Sequence, residues 1–482
     1  MDYEKIGLKA GLEIHQQLDT GKLFCRCPSY LRSDKPDYLI KRKFHKVAGE
    51  TGDIDEAVKY EAELDKEFVY YVYKDNCCLV ELDESPPLLI NEEALNEALK
   101  IALLLNCEIY PVSQIMRKIV IDGSNTSGFQ RTVLIAHDGF IETSFGKVGI
   151  ETIALEEDSA RPADEEENEK VRFWKLDRLG IPLVEIVTKP DMKEPEQIKE
   201  VALKIGEILR ACKVKRGIGT IRQDLNISIK NHDRVEIKGF QEPELMIITI
   251  NNEIKRQIEN IKNKKTKGEV RGTLPDGTTK FNRPMPTKAR MYPETDLPLL
   301  YITRERINEI KRNLPKLKQE LRDELRKKGL NEELINLILE GNFDEFKTLM
   351  AVYDRDANLV AKMITIWRNE IASKNKKQIS EIKEILNERL LEEILIKLKK
   401  GEIKESEIKS TMNKLFEGKT LEEIMQEEKC DDNVLEEEIV KIVKEKPGLR
   451  PGGYMGLIIN KLGGNIDKRK AMEILNRLLN NC

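Results

Sequence analysis

The sequence predicts an α+β protein with a mostly antiparallel β-sheet cradle and packed helices, followed by an all-α helical domain and a small helical tail domain. Three observations predict this class. Short alternating segments separated by Gly, Pro, Asn and Asp run to about residue 300, and Lys/Glu-rich helices with Leu and Ile at helical spacing follow. The last segment is punctuated by glycine and proline, as in "KPGLRPGGYMGLIINKLGG". We therefore expect domains over residues 1–300, 301–410 and 411–482.

Hydrophobic periodicity predicts the elements of the first domain in order. In "GLEIHQQL" Leu12 and Ile14 share one face of a strand while Glu13 and His15 share the other. In the same way alternating or continuous apolar runs predict strands over 11–18, 77–84, 117–124, 149–158, 181–189 and 219–229. Apolar residues three and four positions apart predict helices over 91–105 and 194–212, and a shorter helix from 251 that passes into a Lys-rich connector.

Composition and missing motifs exclude several classes of function. The formal net charge of −4 gives no global basic field, so a contact with RNA must come from local patches. Eight cysteines are too few for a secreted disulfide scaffold, and no apolar run approaches the roughly 18 to 20 residues of a membrane span. We therefore expect a cytoplasmic protein with no membrane partner. Glycine-rich phosphate loops, dinucleotide fingerprints, HExxH and the serine-hydrolase elbow are all absent.

Several predicted strands carry acids where apolar residues would fit the period. Glu185 interrupts the buried run "IPLVEIVTK", and a buried carboxylate needs a partner ion or a metal. Glu156 and Glu157 end another strand; they point to opposite faces, so they would address one cation only if the strand bends, or else two adjacent cations. The alternatives are a structural ion pair for Glu185 and an acidic turn at 156–158.

A polar strand face extends this group of residues. Arg222, Asp224 and Asn226 alternate along "GTIRQDLNISI" and either line a cleft that binds phosphate or carboxylate, or form the solvated face of a sheet. With Glu13, His15 and the acids above, they predict a metal site that would bind ATP through cations, since carboxylates with one histidine suit Mg²⁺ or Mn²⁺. A second site is suggested by Cys25, Cys27, Cys77 and Cys78, which form either a structural zinc site or a set of reduced thiols.

Seven blocks in a fixed order resemble the B/E family of tRNA-dependent amidotransferase subunits. They are "GLEIHQQL", "CLVELDESPP", "IDGSNTSGFQRTVLIAHDG", "LEEDSARPADE", "DRLGIPLVEIVTKPD", "GTIRQDLNISI" and "RMYPETDLP". Two of them, "IDGSNTSGFQRT" and "MYPETD", are more similar to the archaeal E-type members than to the B-type members. The E type commonly carries an insertion similar to a domain of bacterial aspartyl-tRNA synthetases. Between "GFQEPELM" and "GTLPDGTTKF", where that insertion should lie, this chain has only the Lys-rich connector.

The resemblance implies a substrate, a reaction and partners. The chain would bind tRNA(Gln) charged with glutamate, phosphorylate the glutamate γ-carboxylate with ATP and Mg²⁺, and amidate it with ammonia from an asparaginase-like glutaminase, the D-type partner. The implied tRNA contacts lie in the helical domain and the tail, where the basic candidates are Lys446, Arg450, Lys461, Lys468, Arg469 and Lys470.

The resemblance also implies roles for particular residues. The metal ligands would be Glu13, His15, Glu156, Glu157 and Glu185. His15 ligates only when neutral, so activity should fall as the pH drops below its pKa. Arg222 and Asn226, with Asp224 beside them, would position phosphate, and Ser124 and Asn125, with Asp122, would contact substrate or the ammonia route. Two other functions stay open: a noncatalytic tRNA-binding or assembly protein, and a metal-dependent ligase acting on a small carboxylic acid.

Overall fold

An eleven-stranded, mainly antiparallel sheet with helices packed on one face dominates the first of two units, Met1–Lys318; the second unit is Gln319–Cys482. The computed structural model describes residues 1–163, 170–240, 243–285, 291–426, 432–462 and 468–480. Its strands are β1 (Lys9–Gln17), β2 (Tyr38–Arg42), β3 (Glu67–Val72), β4 (Glu108–Ile109), β5 (Val112–Ser113), β6 (Met116–Ile119), β7 (Phe129–Thr143), β8 (Gly146–Glu157), β9 (Arg161–Pro162), β10 (Val171–Lys175), β11 (Pro182–Thr188), β12 (Ile221–Ser228), β13 (Val235–Phe240), β14 (Glu269–Thr273), β15 (Thr279–Pro284), β16 (Met291–Pro293) and β17 (Leu300–Tyr301).

The strand order of the large sheet is β15-β14-β13-β12-β1-β11-β8-β7-β6-β16, with β4 paired to β7. All of its pairings are antiparallel except β13 with β14. A four-stranded sheet of order β2-β3-β10-β9 and the pair β17-β5 complete the strands of the described residues. The predicted α+β class with a mostly antiparallel sheet is therefore confirmed.

The helices of the first unit are α1 (Tyr3–Ile6), α2 (Glu56–Glu63), α3 (Glu92–Leu104), α4 (Pro195–Ala211), α5 (Pro243–Lys262) and α6 (Arg304–Arg312). Helix α4 begins with a proline, which suits the first helical position, and buries the stripe that contains Ile198, Val201 and Ile205. Helices α3, α4 and α5 contact the central strands. The apolar faces of those strands are completely buried, at Leu12, Ile14, Val184, Ile186, Leu225 and Ile227. The opposite face of the sheet is thus the one that stays available for polar side chains.

The structure confirms five of the six predicted strands, which correspond to β1, β6, β8, β11 and β12, and both long helices, α3 and α4. The prediction of a strand over 77–84 is wrong, because this segment forms consecutive turns. The Glu81 carboxylate accepts the backbone N–H of Cys78 and the thiol of Cys25, which bends the chain back on itself. A strand that the sequence did not predict, β13, pairs with β12.

The helices of the second unit are α7 (Lys318–Lys327), which begins at the last residue of the first unit, α8 (Glu332–Leu339), α9 (Phe343–Val352), α10 (Ala357–Lys362), α11 (Arg368–Asn375), α12 (Ile379–Ile385), α13 (Glu388–Lys399), α14 (Glu405–Phe416), α15 (Leu421–Gln426), α16 (Asp432–Glu445), α17 (Pro451–Leu462) and α18 (Lys468–Asn480). A π-helical turn, Met363–Trp367, joins α10 to α11. This unit is all-α in the residues that the structure describes.

The boundaries of the units differ from those expected from the sequence. The first unit extends past residue 300 because Ile307 and Ile310 of α6 pack into its core and Arg306 bonds to Asn96 of α3. The described residues of the second unit form two hydrophobic cores, one from Leu325 to Leu421 and one from Leu435 to Leu475. Helix α14 lies beyond the predicted boundary at 411 for part of its length, yet it contributes to the earlier core through Ile408, Met412 and Leu415.

Candidate active site

Two groups of possible metal ligands lie on the open face of the large sheet. His15, Glu156 and Glu185 form one group, and Glu13, Asp224 and Glu236 form the other. Within each group the ligand atoms lie within 4.8 Å of one another. All six side chains line a single cavity of about 800 Å³. The acids that the sequence scattered over several strands therefore meet at one place.

Strand register produces this convergence. His15 lies directly opposite Glu185 on β11, and Glu13 lies opposite Asp224 on β12. Glu156 on β8 faces Leu183, which is two residues from Glu185 and so on the same side of the sheet. Residues paired across antiparallel strands project from the same face, so register alone brings these ligands within reach of one another.

The first group combines an imidazole with two carboxylates. The Nε2 atom of His15 lies 3.1 Å from Oε1 of Glu185. Burial lowers the pKa of His15, but the hydrogen bond and charge of Glu185, with the charges of Asp224 and Glu156, outweigh it, so the pKa is raised. Glu156 is 1% exposed and accepts hydrogen bonds from the Lys118 ammonium and, at 3.1 Å, from Nε2 of Gln130.

In the second group, the ammonium of Lys238 lies between two of the three carboxylates. Nζ of Lys238 lies 2.6 Å from Oδ2 of Asp224 and 2.6 Å from Oε1 of Glu236. The pKa of Glu13 is raised by burial and by the negative charges of Glu236 and Glu185, although Lys238 and Asn226 oppose this. A divalent cation would stabilise the ionised forms of carboxylates clustered in this way.

Glu157 does not belong to either group. Its side chain projects from the opposite face of β8, and its Oε2 atom lies 3.3 Å from Nη1 of Arg131. The possibility that the strand bends to bring Glu156 and Glu157 to one point is therefore not realised. Consecutive residues of a regular strand keep opposite directions, and Arg131 neutralises the Glu157 carboxylate on its own side. We accordingly leave Glu157 out of the proposed cation sites.

Some polar residues of β12 line the cavity, and others hold the lining residues in place. Arg222 lines the cavity and donates from Nη2 to Oδ1 of the fully buried Asp158 at 2.9 Å. Asn226 donates from Nδ2 to Oε1 of Glu13 at 2.8 Å and is not among the lining residues, so it holds a proposed ligand in place without lining the cavity itself. Ser124 and Asn125, in the turn between β6 and β7, both line the cavity.

Sequence reasoning missed several lining residues. Glu236 and Lys238 alternate along "RVEIKGF" as Arg222 and Asp224 do along β12, and this alternation was the signal that could have found them. Lys118, Arg234 and Arg283 also line the cavity and add positive charge. Arg234 belongs to the same alternation as Glu236 and Lys238, whereas no sequence feature singles out Lys118 or Arg283.

The cysteines form a group that differs from the expected one. Thiols of Cys25, Cys27 and Cys78 meet the Glu81 carboxylate, with all four ligand atoms within 4.8 Å of one another. Cys77 lies outside this group, and its burial raises the pKa of its thiol to about 11. The fully buried Lys22 lies 3.2 Å from Oε1 of Glu81 and balances part of the charge. Glu81 takes the place expected for Cys77 because the turn at 77–84 directs it inward.

The basic residues proposed for tRNA lie in the second unit and are only partly described. Lys446 and Arg450 lie between α16 and α17. Nζ of Lys461 is 3.3 Å from a carboxylate oxygen of Glu438. The side chains of Lys468 and Arg469 lie outside the described residues. Among the described helices, none combines the length and the apolar character that crossing a membrane requires.

Comparison with known proteins places the cavity inside a recognised domain. The family model of the GatB/GatE catalytic domain matches residues 8–308. The chain is 35% identical to the E subunit of glutamyl-tRNA(Gln) amidotransferase from Methanocaldococcus jannaschii, over 99% of each chain. It is 36% identical to the protein of that name from Methanothermobacter thermautotrophicus, over 77% of this chain and 81% of the relative. A segment covering 53% of this chain is 52% identical to the protein of that name from Methanococcus vannielii, over 41% of the relative.

This chain is shorter than the first of these relatives. The alignment with the Methanocaldococcus jannaschii protein spans 632 positions, and since this chain has 482 residues, at least 150 positions have no counterpart here. In the structure, residues 263–268 join α5 directly to β14, with no further domain between them. The insertion that the sequence analysis expected at this point of an E-type protein is therefore missing.

Proposed function

The chain belongs to the GatB/GatE catalytic-domain family, and we propose that it converts glutamyl-tRNA(Gln) into glutaminyl-tRNA(Gln). As part of an amidotransferase it would phosphorylate the γ-carboxylate of the tRNA-bound glutamate with ATP and amidate the product with ammonia. The observation that carries this proposal is the pair of ligand groups, His15 with Glu156 and Glu185, and Glu13 with Asp224 and Glu236, facing one cavity.

The chemistry explains why such a site is needed. A carboxylate resists ammonia because oxide is a very poor leaving group, whereas an acyl phosphate releases phosphate readily. Transferring a phosphoryl group to a carboxylate brings several negative charges together, so most of the catalysis is positioning and charge neutralisation. A cavity with clustered ligands and several cationic side chains provides both.

The donor sets fit Mg²⁺ or Mn²⁺. Both cations favour carboxylate oxygens, and one imidazole among them is compatible with either. Burial and the neighbouring carboxylates of Glu236 and Glu185 raise the pKa of Glu13, so a bound cation would stabilise its ionised form. Bound cations would supply neutralisation of the phosphate and carboxylate charges during transfer.

The side chains of the protein itself hold the site in shape and supply positive charge. Asp158 fixes the Arg222 guanidinium, and Asn226 fixes the carboxylate of Glu13. Lys118 orients Glu156. Arg222, with Arg234 and Arg283 at the cavity wall, provides guanidinium forks suited to the phosphates of ATP.

The proposal includes partners outside this chain. The relatives are named as one component of a multi-subunit amidotransferase, and ammonia would come from an asparaginase-like glutaminase, the D-type partner. Basic side chains of the second unit, such as Lys446 and Arg450, would bind tRNA phosphates with strong salt dependence. Because the reaction consumes charged tRNA and ATP, we expect the protein to act in the cytoplasm.

A structural zinc ion is a separate part of the proposal. Three thiols and one carboxylate within 4.8 Å are a donor set that zinc accepts, with Cys25, Cys27, Cys78 and Glu81 as ligands. The reduced-thiol alternative predicts no bound metal. Elemental analysis of the purified chain should find about one zinc per molecule, lost in Cys27→Ser; a metal-free protein would favour the thiols.

The decisive experiment reconstitutes the reaction. Purified chain and its glutaminase partner are mixed with ATP, Mg²⁺, glutamine and glutamyl-tRNA(Gln), and formation of glutaminyl-tRNA is measured. We expect product with the wild type and a loss of at least about 100-fold in rate with Glu185→Gln, since removing one stabiliser of transition-state charge costs about that much. The affinity of the Glu185→Gln variant for Mn²⁺, measured by electron paramagnetic resonance, should also be lower than that of the wild type.

Glu151→Gln is the matched control, because Glu151 is an exposed glutamate of β8 that does not line the cavity. It should keep the wild-type rate and Mn²⁺ affinity. Full activity of Glu185→Gln would contradict the metal assignment. Tight tRNA binding without any ATP turnover would support a noncatalytic assembly protein, and ATP turnover on a free carboxylic acid without tRNA would support a small-molecule ligase.

A further inference from the structure

A β-bulge in β13 lies at the second group of possible ligands. The register between β12 and β13 shifts at Asp224, where two residues of β13, Lys238 and Gly239, lie opposite this single residue of β12. Gly239 has a φ of +97°, a left-handed backbone conformation that suits a bulge. Ile237 and Phe240, on either side, both belong to the hydrophobic core. Lys238 lines the cavity, at a position where the hydrogen-bond ladder of the sheet is interrupted.

The Lys238 ammonium contacts two carboxylates of the second group at once. Its Nζ atom lies 2.6 Å from Oδ2 of Asp224 and 2.6 Å from Oε1 of Glu236. Burial lowers the pKa of Lys238, but the charges of these two carboxylates outweigh it and raise the pKa, so the group stays an ammonium. The third carboxylate, Glu13, accepts a hydrogen bond from Asn226. Lys238 therefore brings a positive charge to the same carboxylates that are proposed to bind a divalent cation.

A cation bound to the same oxygens would lie close to this ammonium. Mg²⁺ binds carboxylate oxygens at about 2.0 to 2.1 Å. A cation on Oδ2 of Asp224 would therefore be at most about 4.7 Å from Nζ of Lys238, since both atoms contact the same oxygen. A dication and an ammonium at that separation repel each other, and the repulsion is stronger in a partly buried cavity than in water. The two positive groups thus compete for one set of carboxylates.

Lys238 has room to move, whereas the lysine of the first group does not. The Lys238 side chain is 38% exposed, while the side chains of Asp224 and Glu236 are each 8% exposed. The ammonium can therefore turn into the cavity while the carboxylates stay in place. In the first group, the Lys118 side chain is only 10% exposed and pairs with the almost completely buried Glu156. Lys118 is accordingly a fixed support of its group, and Lys238 is placed to leave.

We propose that the Lys238 ammonium and a divalent cation compete for the second group, and that cation binding displaces Lys238 toward the phosphates of a bound nucleotide. The inference rests on the proposed function and adds a positioning residue to it. Before the cation binds, Lys238 reduces the repulsion between two neighbouring carboxylates. Afterwards its charge stays attached to β13 and adds to those of Arg222, Arg234 and Arg283 on the cavity wall. Cation binding thus prepares the cavity for phosphate.

Two affinities distinguish a competing lysine from a supporting one. Mn²⁺ binding to the full-length wild type and to Lys238→Met is measured by electron paramagnetic resonance, and ADP binding at saturating Mn²⁺ is measured by equilibrium dialysis. We expect Lys238→Met to bind the weaker of two Mn²⁺ ions at least about tenfold more tightly, because a close positive charge is removed. It should bind ADP roughly tenfold more weakly, because a charged contact with phosphate is lost. A merely structural lysine would lower both affinities.

Lys189→Met is the matched control. Lys189 also pairs with a carboxylate, that of Asp138 at 2.8 Å, and its side chain is exposed to a similar extent, but it does not line the cavity. This variant should keep both wild-type affinities. Lys118→Met should instead bind Mn²⁺ more weakly, because Lys118 holds Glu156 in place. A Lys238→Met variant with Mn²⁺ affinity equal to or below that of the wild type would overturn the inference, since Lys238 would then support the carboxylates.

Chemical labelling of the wild type tests the displacement without any substitution. Lysines are acetylated with an N-hydroxysuccinimide ester, with and without Mg²⁺ and in the absence of nucleotide, and labelling is followed by mass spectrometry. Because the displaced ammonium is more accessible, Mg²⁺ should speed the labelling of Lys238 and leave that of Lys189 unchanged. Equal labelling of Lys238 in both conditions would overturn the inference alone. A wild type that binds no Mn²⁺ and makes no glutaminyl-tRNA would overturn the proposed function, and this inference with it.

Discussion

Three acids that are consecutive in the sequence have three different partners in the structure. Glu156 bonds to Lys118 at the cavity, Glu157 pairs with Arg131 on the other side of the sheet, and Asp158 fixes Arg222. From the sequence, these three acids were expected either to bind neighbouring cations or to form an acidic turn. At the scale of single residues, the direction of each side chain decides its role, and alternation along β8 sends neighbours to different environments.

Behind the cavity, Glu294 links two arginines in a buried ion cluster. Its side chain has no exposed surface and pairs with Arg117 and, at 2.8 Å, with Nε of Arg131. Both guanidinium groups also lie over the ring of Phe129, at 4.6 Å and 5.2 Å from its centre. The cluster therefore connects the "MYPETD" segment to Arg131 and, through it, to Glu157.

Removing the charge of Glu294 should destabilise the protein in a pH-dependent way. Burial raises the pKa of Glu294, but Arg117, Arg131 and a backbone N–H outweigh it, so the folded-state pKa lies below its usual value. Its stabilisation is present above the unfolded-state pKa and is lost as the pH falls through the folded-state pKa. In urea unfolding, we expect Glu294→Gln to cost about 3 kcal/mol at pH 7 and progressively less below about pH 4.

Asp296→Asn is the matched control, because this half-exposed carboxylate lies 3.3 Å from the same Arg117. Exposed ion pairs contribute at most about 1 kcal/mol, so its effect should be small. A Glu294→Gln penalty that is equal at pH 7 and about pH 3.5 would mean that packing, and not charge, stabilises this position.

At the scale of elements, the site depends on one turn as much as on its strands. Central strands place the ligands through register, whereas the β6–β7 turn places Ser124 and Asn125 through a left-handed glycine and hydrogen bonds from β3 and from Ala160. The alternation rule that predicted β1 and β12 gives no information about such a turn, because its geometry depends on φ and on contacts with Phe68 and Tyr70.

Substituting Gly123 by alanine should unfold this turn. The new methyl group would meet the Phe68 ring at 2.0 Å, in a backbone conformation that L-residues rarely adopt. We expect a loss of more than about 2 kcal/mol in unfolding free energy, with lower amidation activity because Ser124 and Asn125, which line the cavity, would move. Gly146→Ala, at φ +120° with open space around it, should cost only about 1 to 2 kcal/mol. Equal losses for the two variants would show that the contact with Phe68 is unimportant.

At the scale of the whole molecule, each unit has its own hydrophobic cores. The largest core of the first unit draws all its members from residues up to Leu317, and both cores of the second unit begin at or after Leu325. The cavity is built entirely from the first unit. The proposed catalytic site and the basic residues proposed to bind tRNA therefore belong to different units, each with its own hydrophobic core.

A fragment of residues 1–318 should fold and keep the metal site. We expect one cooperative unfolding transition and Mn²⁺ affinity within about threefold of the full chain, because all proposed ligands and their partners are retained. Its affinity for glutamyl-tRNA(Gln), measured by filter binding, should be at least about tenfold lower, and less dependent on salt, since phosphate contacts are lost. A fragment that binds tRNA as tightly as the full chain would place the main RNA contacts in the first unit.

Local sequence pattern was sufficient to predict the α+β class, five of six strands, the two long helices, the polar and apolar faces of β1 and β12, and the family. These follow from periodicity and from motifs in a fixed order. Tertiary contacts were needed to show that residues 77–84 form turns and that β13 contributes Glu236 and Lys238 to the cavity. They also showed that Glu157 pairs with Arg131 and that Glu81 lies among the thiols of Cys25, Cys27 and Cys78. The local sequence pattern predicts which face of a strand a residue occupies. Its neighbours on that face depend on the register between strands that are far apart in sequence, such as those that carry His15 and Glu185.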